Sequence, residues 1–182
     1  MTNEKSYLFK SARLGFRQWH SSDLILFASM NADEEVMEFF PSTLSREQTE
    51  SFIQRMQGQF IERGYCYFAV DELANSNFIG FIGLSFQTYL ADFTPCVDIG
   101  WRISKNYWNR GYATEGAIRC LEFAFYDLGI EKIYAVCPKI NLKSERIMIK
   151  IGMQKEHDFK HPDLINYPGL VDCVAYAIEG NT

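Results

Sequence analysis

The 182-residue sequence contains no run that approaches 18 uninterrupted apolar residues, which excludes an ordinary membrane-spanning helix. Its first ten residues, MTNEKSYLFK, hold no apolar core of the kind a secretory signal requires. Cysteine is sparse, with five residues at positions 66, 96, 120, 137 and 173, never in C-x-x-C spacing. An odd and scattered set argues against a disulfide framework or a zinc site. It fits reduced thiols buried as small hydrophobes in a cytoplasmic protein. Positive charge is also short: 18 Lys and Arg against 23 Asp and Glu leave a net charge of −5. General nucleic-acid binding needs a basic footprint and is not expected, whereas a cationic substrate is compatible with negative potential. Repeats, low-complexity stretches and linkers are missing too, so residues 1–182 read as a single domain.

What is present is apolar and aromatic. Hydrophobic residues make up 47% of the chain and aromatics 15%, enough for a real core with rings to spare for a cleft. Residues 13–19 read as a first strand, and Ser21-Ser22-Asp23 opens a helix to about Met30 with Ser or Asp at the N-cap. Ser45-Arg46-Glu47-Gln48 is a capping box for a second helix that reaches about Arg63 and stops at Gly64. Strands are expected at 65–72 and 78–89, joined by the turn ANSN, with Gly80 and Gly83 marking a bulge or close backbone approach. In CVDIGWRI (96–103), Val97, Ile99, Trp101 and Ile103 fall on one face and Asp98, Gly100 and Arg102 on the other. A helix follows from Thr114 to Leu128, with apolar residues at 117, 118, 121, 124, 125 and 128. A strand at 131–137, a helix from Asn141 to about Lys150, and strands near 153–159 and 170–178 complete a mixed α/β domain around one sheet. Antiparallel hairpins come first, with a βαβ crossover in the middle.

The stretch WNRGYATEG, Trp108 to Gly116, joins the strand at 96–103 to the helix after it. A helix N-terminus carries unpaired N–H groups and about half a unit of positive charge, which suits a phosphate. Small residues let the anion reach the backbone. Gly111 and Ala113 supply them, and Arg110 adds charge at the rim. On these residues alone the stretch fits a plain strand-to-helix loop equally well. Three neighbours point further. Asp98 offers a carboxylate on the preceding strand, Cys137-Pro138 ends the following strand where neighbours can separate, and Asn141 and Ser144 open a helix beside that opening.

Residues 97–153, VDIGWRISKNYWNRGYATEGAIRCLEFAFYDLGIEKIYAVCPKINLKSERIMIKIGM, resemble the core of the GNAT superfamily of acyl-CoA-dependent N-acetyltransferases, and its RimJ/RimL branch in particular. RLGFRQWHSSDL and VDCVAYAI extend the likeness over nearly the whole chain. The resemblance implies a GNAT fold: one mostly antiparallel sheet with a splayed parallel strand pair and about four helices. It implies acetyl-CoA as cosubstrate, with the main chain of Trp108, Asn109, Arg110, Gly111, Tyr112, Ala113 and Thr114 around its pyrophosphate. Trp108 stands where the family's phosphate loop commonly begins with Arg or Gln. Trp101 and Ile103 on the strand and Asn141 at the pantetheine arm complete the cofactor set.

Two catalytic residues follow from the same resemblance. Asp98 lies where the family commonly has Glu, one methylene longer, so a water bridge to the amine is an option. Ser144 returns a proton to the leaving thiolate. The implied reaction is direct attack of a primary amine, on a small molecule or a protein N-terminus, upon the thioester. Such an amine, of pKa roughly 10.4 when free, must first lose a proton. Of the acidic cluster Asp33, Glu34, Glu35 and Glu38, Glu35 is the candidate for substrate contact, and His157 a candidate second base. No metal is called for, and the chain acts as a monomer or homodimer. The alternative is an acyl-CoA-binding sensor without turnover.

Overall fold

The computed structural model describes residues 6–180, so the first half of the N-terminal decapeptide lies outside the described residues. Eight strands form one sheet: β1 (Phe9–Lys10), β2 (Leu14–Arg17), β3 (Tyr67–Glu72), β4 (Asn77–Gln87), β5 (Cys96–Ile103), β6 (Lys132–Pro138), β7 (Gln154–Lys160) and β8 (Asp172–Glu179). Four α-helices accompany it: α1 (Asp23–Asn31), α2 (Arg46–Arg63), α3 (Tyr112–Glu122) and α4 (Leu142–Lys150). The strand order is β1-β2-β3-β4-β5-β6-β8-β7. Every pairing is antiparallel except β5 with β6, the pair that the α3 crossover joins. This is the architecture expected from the sequence. Among the described residues no helix is long and apolar enough to cross a membrane.

Local chemistry sets most boundaries. Ser45 Oγ accepts from Gln48 N while Gln48 Oε1 accepts from Ser45 N, the reciprocal box that starts α2. Gly64 ends it in the left-handed conformation, at φ 77°. Gly83 sits where a Cβ would stand 2.3 Å from the Cys66 carbonyl oxygen, so β3 and β4 approach too closely for any side chain there. At Gly80 the register between these strands shifts, with Val70 opposite Gly80 and Asp71 opposite Phe78.

Several boundaries differ from expectation. The strand expected at 13–19 is the shorter β2, and an unexpected two-residue β1 precedes it, joined by the turn Ser11-Ala12-Arg13. Ser22 takes the N-cap of α1 without a side-chain bond, and the Asp23 carboxylate instead serves Arg17. Helix α3 begins at Tyr112 rather than Thr114, and its last turn, Phe123–Asp127, widens into a π-helix before Gly129. Its buried stripe is Tyr112, Gly116, Ala117, Cys120, Leu121 and Ala124, while Ile118 is 43% exposed. All five cysteines are free and buried.

The central strands of the sheet are covered on both faces. Helices α1 and α2 cover one with Trp19, Phe27, Phe52, Phe78 and Phe81 packed ring against ring. On the other, α3 lies against Leu14, Phe16 and Ile82, close enough that Gly116 has no room for a Cβ. Strand β5 therefore shows Asp98, Gly100 and Arg102 to the α1/α2 side and Val97, Ile99, Trp101 and Ile103 to the α3/α4 side.

Candidate active site

The parallel pair is where the sheet opens. β5 and β6 share one registered pair, Asp98 with Tyr134, and part beyond it. Pro138 does not cause the parting. β6 stays paired with β8 through Pro138 opposite Cys173, and its separation from β5 begins four residues earlier. Asp98 lies on one face of the parting strands, and α4 meets β5 on the other through Trp101 and Ser144.

On the helix side, Gly111 is the N-cap of α3, its φ of 78° favours glycine, and no side chain caps the helix. Asn109 is also left-handed, at φ 60°. A Cβ at Gly111 would meet only Arg13 Nη2, at 3.6 Å, so backbone conformation rather than crowding excludes other residues. The loop side chains are turned to structural tasks. Trp108 Nε1 donates to the Ile103 carbonyl at 2.7 Å, pinning the loop to the strand end. Tyr112 is buried, with its hydroxyl on Glu72, and so offers the site its main chain. Arg110 lies half-exposed over Tyr107 and 3.7 Å from Glu72. A second cation, Arg13, donates to the Arg110 carbonyl at 3.0 Å, pairs with Glu115 at 2.6 Å and stacks on Tyr112. No sequence signal marks Arg13, which is 97 residues from its loop partner. A helix mouth with open amides and two nearby guanidiniums suits a diphosphate.

At the other helix mouth, the Asn141 side chain accepts from Ser144 N at 3.1 Å and caps α4, as its position suggested. Trp101 Nε1 donates to Ser144 Oγ at 3.1 Å, bridging β5 and α4. Because that oxygen accepts from the indole, the serine proton stays free for another acceptor.

On the opposite face, Tyr67 donates its hydroxyl to Asp98 Oδ1 at 2.7 Å, and Gln87 Nε2 donates to the same phenol at 3.2 Å. The phenol reaches Asp98 across Gly100, where a Cβ would stand 3.0 Å from the ring. Burial pushes Asp98 up to about 6, although the bonds from Tyr67 and Gln87 pull the other way. Burial and the adjoining carboxylate hold the Tyr67 phenol well above its ordinary value, so it stays a donor. Beside this cluster Phe93 stacks on Tyr134 and on His157, and Tyr89 packs against His161. His157 is thus one wall of an aromatic group. Glu35 is 70% exposed and pairs at 2.8 Å with Lys105, which also holds Asp33.

Residues 13–154 match the family described as the acetyltransferase (GNAT) domain. The uncharacterized N-acetyltransferase YnaD of Bacillus subtilis is 32% identical over 149 residues, spanning 81% of this chain and 83% of its own. A GNAT-family acetyltransferase from Bacillus anthracis, known from its crystal structure, superposes with a TM-score of 0.77 at 28% identity over 93% of this chain and 96% of that one. The spermidine N-acetyltransferase of Vibrio cholerae, solved with CoA and spermine, shares the fold with a TM-score of 0.74 at 20% identity, over 92% and 96% of the two chains. With a parted parallel pair, an uncapped helix mouth on one side and a buried carboxylate on the other, the chain belongs to the acetyltransferase (GNAT) family of N-acetyltransferases.

Proposed function

We propose that this protein transfers an acetyl group from acetyl-CoA to a primary amine by direct attack in a ternary complex, and that it works in the manner of the RimJ/RimL branch. The observation that carries the reading is the gap beyond the Asp98–Tyr134 pair. A diphosphate-compatible helix mouth stands on one side of it and a carboxylate of raised pKa on the other. The main chain of 108–114 holds the pyrophosphate, with Arg110 and Arg13 as cations. Asn141, Trp101 and Ile103 line the pantetheine arm. Glu35 meets the acceptor at the rim.

Asp98 takes the proton from the ammonium, directly or through a water. The rise from 3.8 to about 6 narrows its mismatch with the amine by about 3 kcal/mol. The amine nitrogen bonds to the acetyl carbon, and main-chain N–H groups near Gly100–Arg102 face the oxygen that gains charge. The carbon–sulfur bond then breaks, Ser144 gives its proton to the departing thiolate, and the second proton leaving the new amide nitrogen passes through water to restore the serine hydroxyl. Mixing purified protein with acetyl-CoA and a panel of amines, and following free thiol, tests this. Turnover on at least one amine is the expected result. Tight acetyl-CoA binding with no turnover on any amine would make the protein a sensor instead.

A further inference from the structure

Two arginines are buried in this fold, and they are treated differently. Arg17 is 1% exposed and fully answered: Nε and Nη2 donate to Asp71 at 2.9 and 2.8 Å, and Nη1 and Nη2 to Asp23 at 2.7 and 2.8 Å. Arg102 is 8% exposed, and its one hydrogen-bonded partner among the described residues is the neutral Asn31, at 2.8 Å. Its Nε has no partner among them. Asn31 is itself fixed, its Nδ2 donating to Thr49 Oγ1 at 3.2 Å, so its oxygen is held toward the guanidinium. The rings of Phe40 and Phe81 flank Arg102 at 4.1 and 5.4 Å, and Phe40 is part-exposed. Rings attract a cation but do not neutralise it. A buried cation without an anion is costly, and a donor left unmade adds to that cost.

The position of Arg102 says what the missing anion belongs to. It shares a face of β5 with Asp98, four residues away, or about 13 Å between Cα atoms at the usual strand rise. Tyr67, whose ring covers Gly100 between them, donates to Asp98 and is also the titratable group acting on Arg102. Burial without a counter-charge pushes Arg102 down to about 10. The helix mouth of α3 lies on the opposite face, so the phosphates proposed there do not reach this guanidinium.

Building on the acetyl-transfer reading, we propose that Arg102 receives a carboxylate of the acceptor, so that the substrate is an amino-carboxylate with its amine at Asp98. A planar guanidinium with a free Nε matches a carboxylate in two-point geometry. The separation along β5 favours an acceptor of dipeptide or ω-amino-acid length over a bare α-amino acid. A polyamine, with no anion to offer, fits this site poorly.

The test is a panel of dipeptides and ω-amino acids, each against its own amide, with acetyl-CoA and thiol detection, on wild type, Arg102→Met and Arg102→Lys. Wild type is expected to favour the acids in kcat/KM by at least ~10-fold, since a site built for a polar group rejects an analogue lacking it. Arg102→Met brings the ratio to about one, while Arg102→Lys keeps part of it. The melting temperature of ligand-free Arg102→Met equals or exceeds that of wild type, because an unanswered charge has been removed. Equal use of acids and amides by wild type overturns the proposal. So does a ratio that survives in Arg102→Met, or an Arg102→Met protein that melts below wild type or fails to fold, which makes Arg102 a structural staple. If acetyl-CoA binds and no amine turns over, the catalytic reading fails by itself. The N-acetylated pairs are then titrated by calorimetry. Preference for the acid that disappears in Arg102→Met upholds the subsite, and no preference overturns it.

Discussion

Replacing Asp98 by Asn tests the chemistry and the electrostatics of the site in one variant. Asparagine keeps an oxygen to accept from Tyr67, so the 2.7 Å bond and the packing over Gly100 survive. What disappears is a carboxylate whose pKa in the fold is about 6 against an ordinary 3.8. A group with a raised pKa binds its proton more tightly folded than unfolded, so ionising it destabilises the fold. The cost is absent below pH about 4, grows between the two pKa values, and is complete above about 6. The difference of roughly two units corresponds to about 3 kcal/mol. Asp98→Asn should therefore be more stable than wild type by up to that amount at pH 8 and equal to it near pH 4. Urea titrations of both proteins at half-unit pH intervals measure this. Turnover moves the other way, falling by about 10²–10⁴ with the base removed. Wild-type activity should fall along an acidic limb as pH drops through about 6. A stability difference that is flat between pH 4 and 8 would refute the claim that the Asp98 charge is held against burial.

Tyr67→Phe removes a donor that favours the charged form of Asp98, so the acidic limb of the kcat/KM profile should move to higher pH; an unmoved limb would detach Tyr67 from the base. Gly111→Val forces a branched residue to φ 78° and should weaken acetyl-CoA binding in calorimetry by at least ~10-fold, with the circular dichroism spectrum retained. Ser144→Ala should lower kcat more than it raises the KM for acetyl-CoA, because the free hydroxyl proton acts on the leaving sulfur; equal loss through KM would reduce Ser144 to a binding contact.

Features that depend on neighbours along the chain were legible in the sequence. The α2 box needs only Ser45 and Gln48, the α4 cap only Asn141 and Ser144, and the β5 faces only alternation. The helix mouth at Gly111 belongs to this class, and so does the four-helix, one-sheet outline. Features that depend on approach across the sheet were not legible. Tyr67 lies 31 residues from Asp98 and Asn31 lies 71 from Arg102, and no spacing rule links either pair. The partner of Glu35 was likewise out of reach: Lys105 stands 70 residues on. Proline misled. Its missing donor suggested where β6 should part from its neighbour, yet the parting starts at the Asp98–Tyr134 pair and β8 still accompanies Pro138.

The glycine between Asp98 and Arg102 shows how one strand supports a site on a face that also has to pack. A β-strand sends every second side chain to the same side, so 98, 100 and 102 would ordinarily wall that side off. Gly100 leaves the middle place empty, and Tyr67 fills it from β3 with a ring that stacks on Phe81 at 5.0 Å. Packing is thereby preserved, and the ring carries a hydroxyl to Asp98 that β5 itself has no means of supplying. The carboxylate is held by a residue anchored in the aromatic core rather than by a loop, so its direction is set by the same contacts that stabilise the sheet. Any side chain at 100 would act on the carboxylate through the phenol it displaces, and the raised pKa of Asp98 is in that sense a property of the packing between β3, β4 and β5.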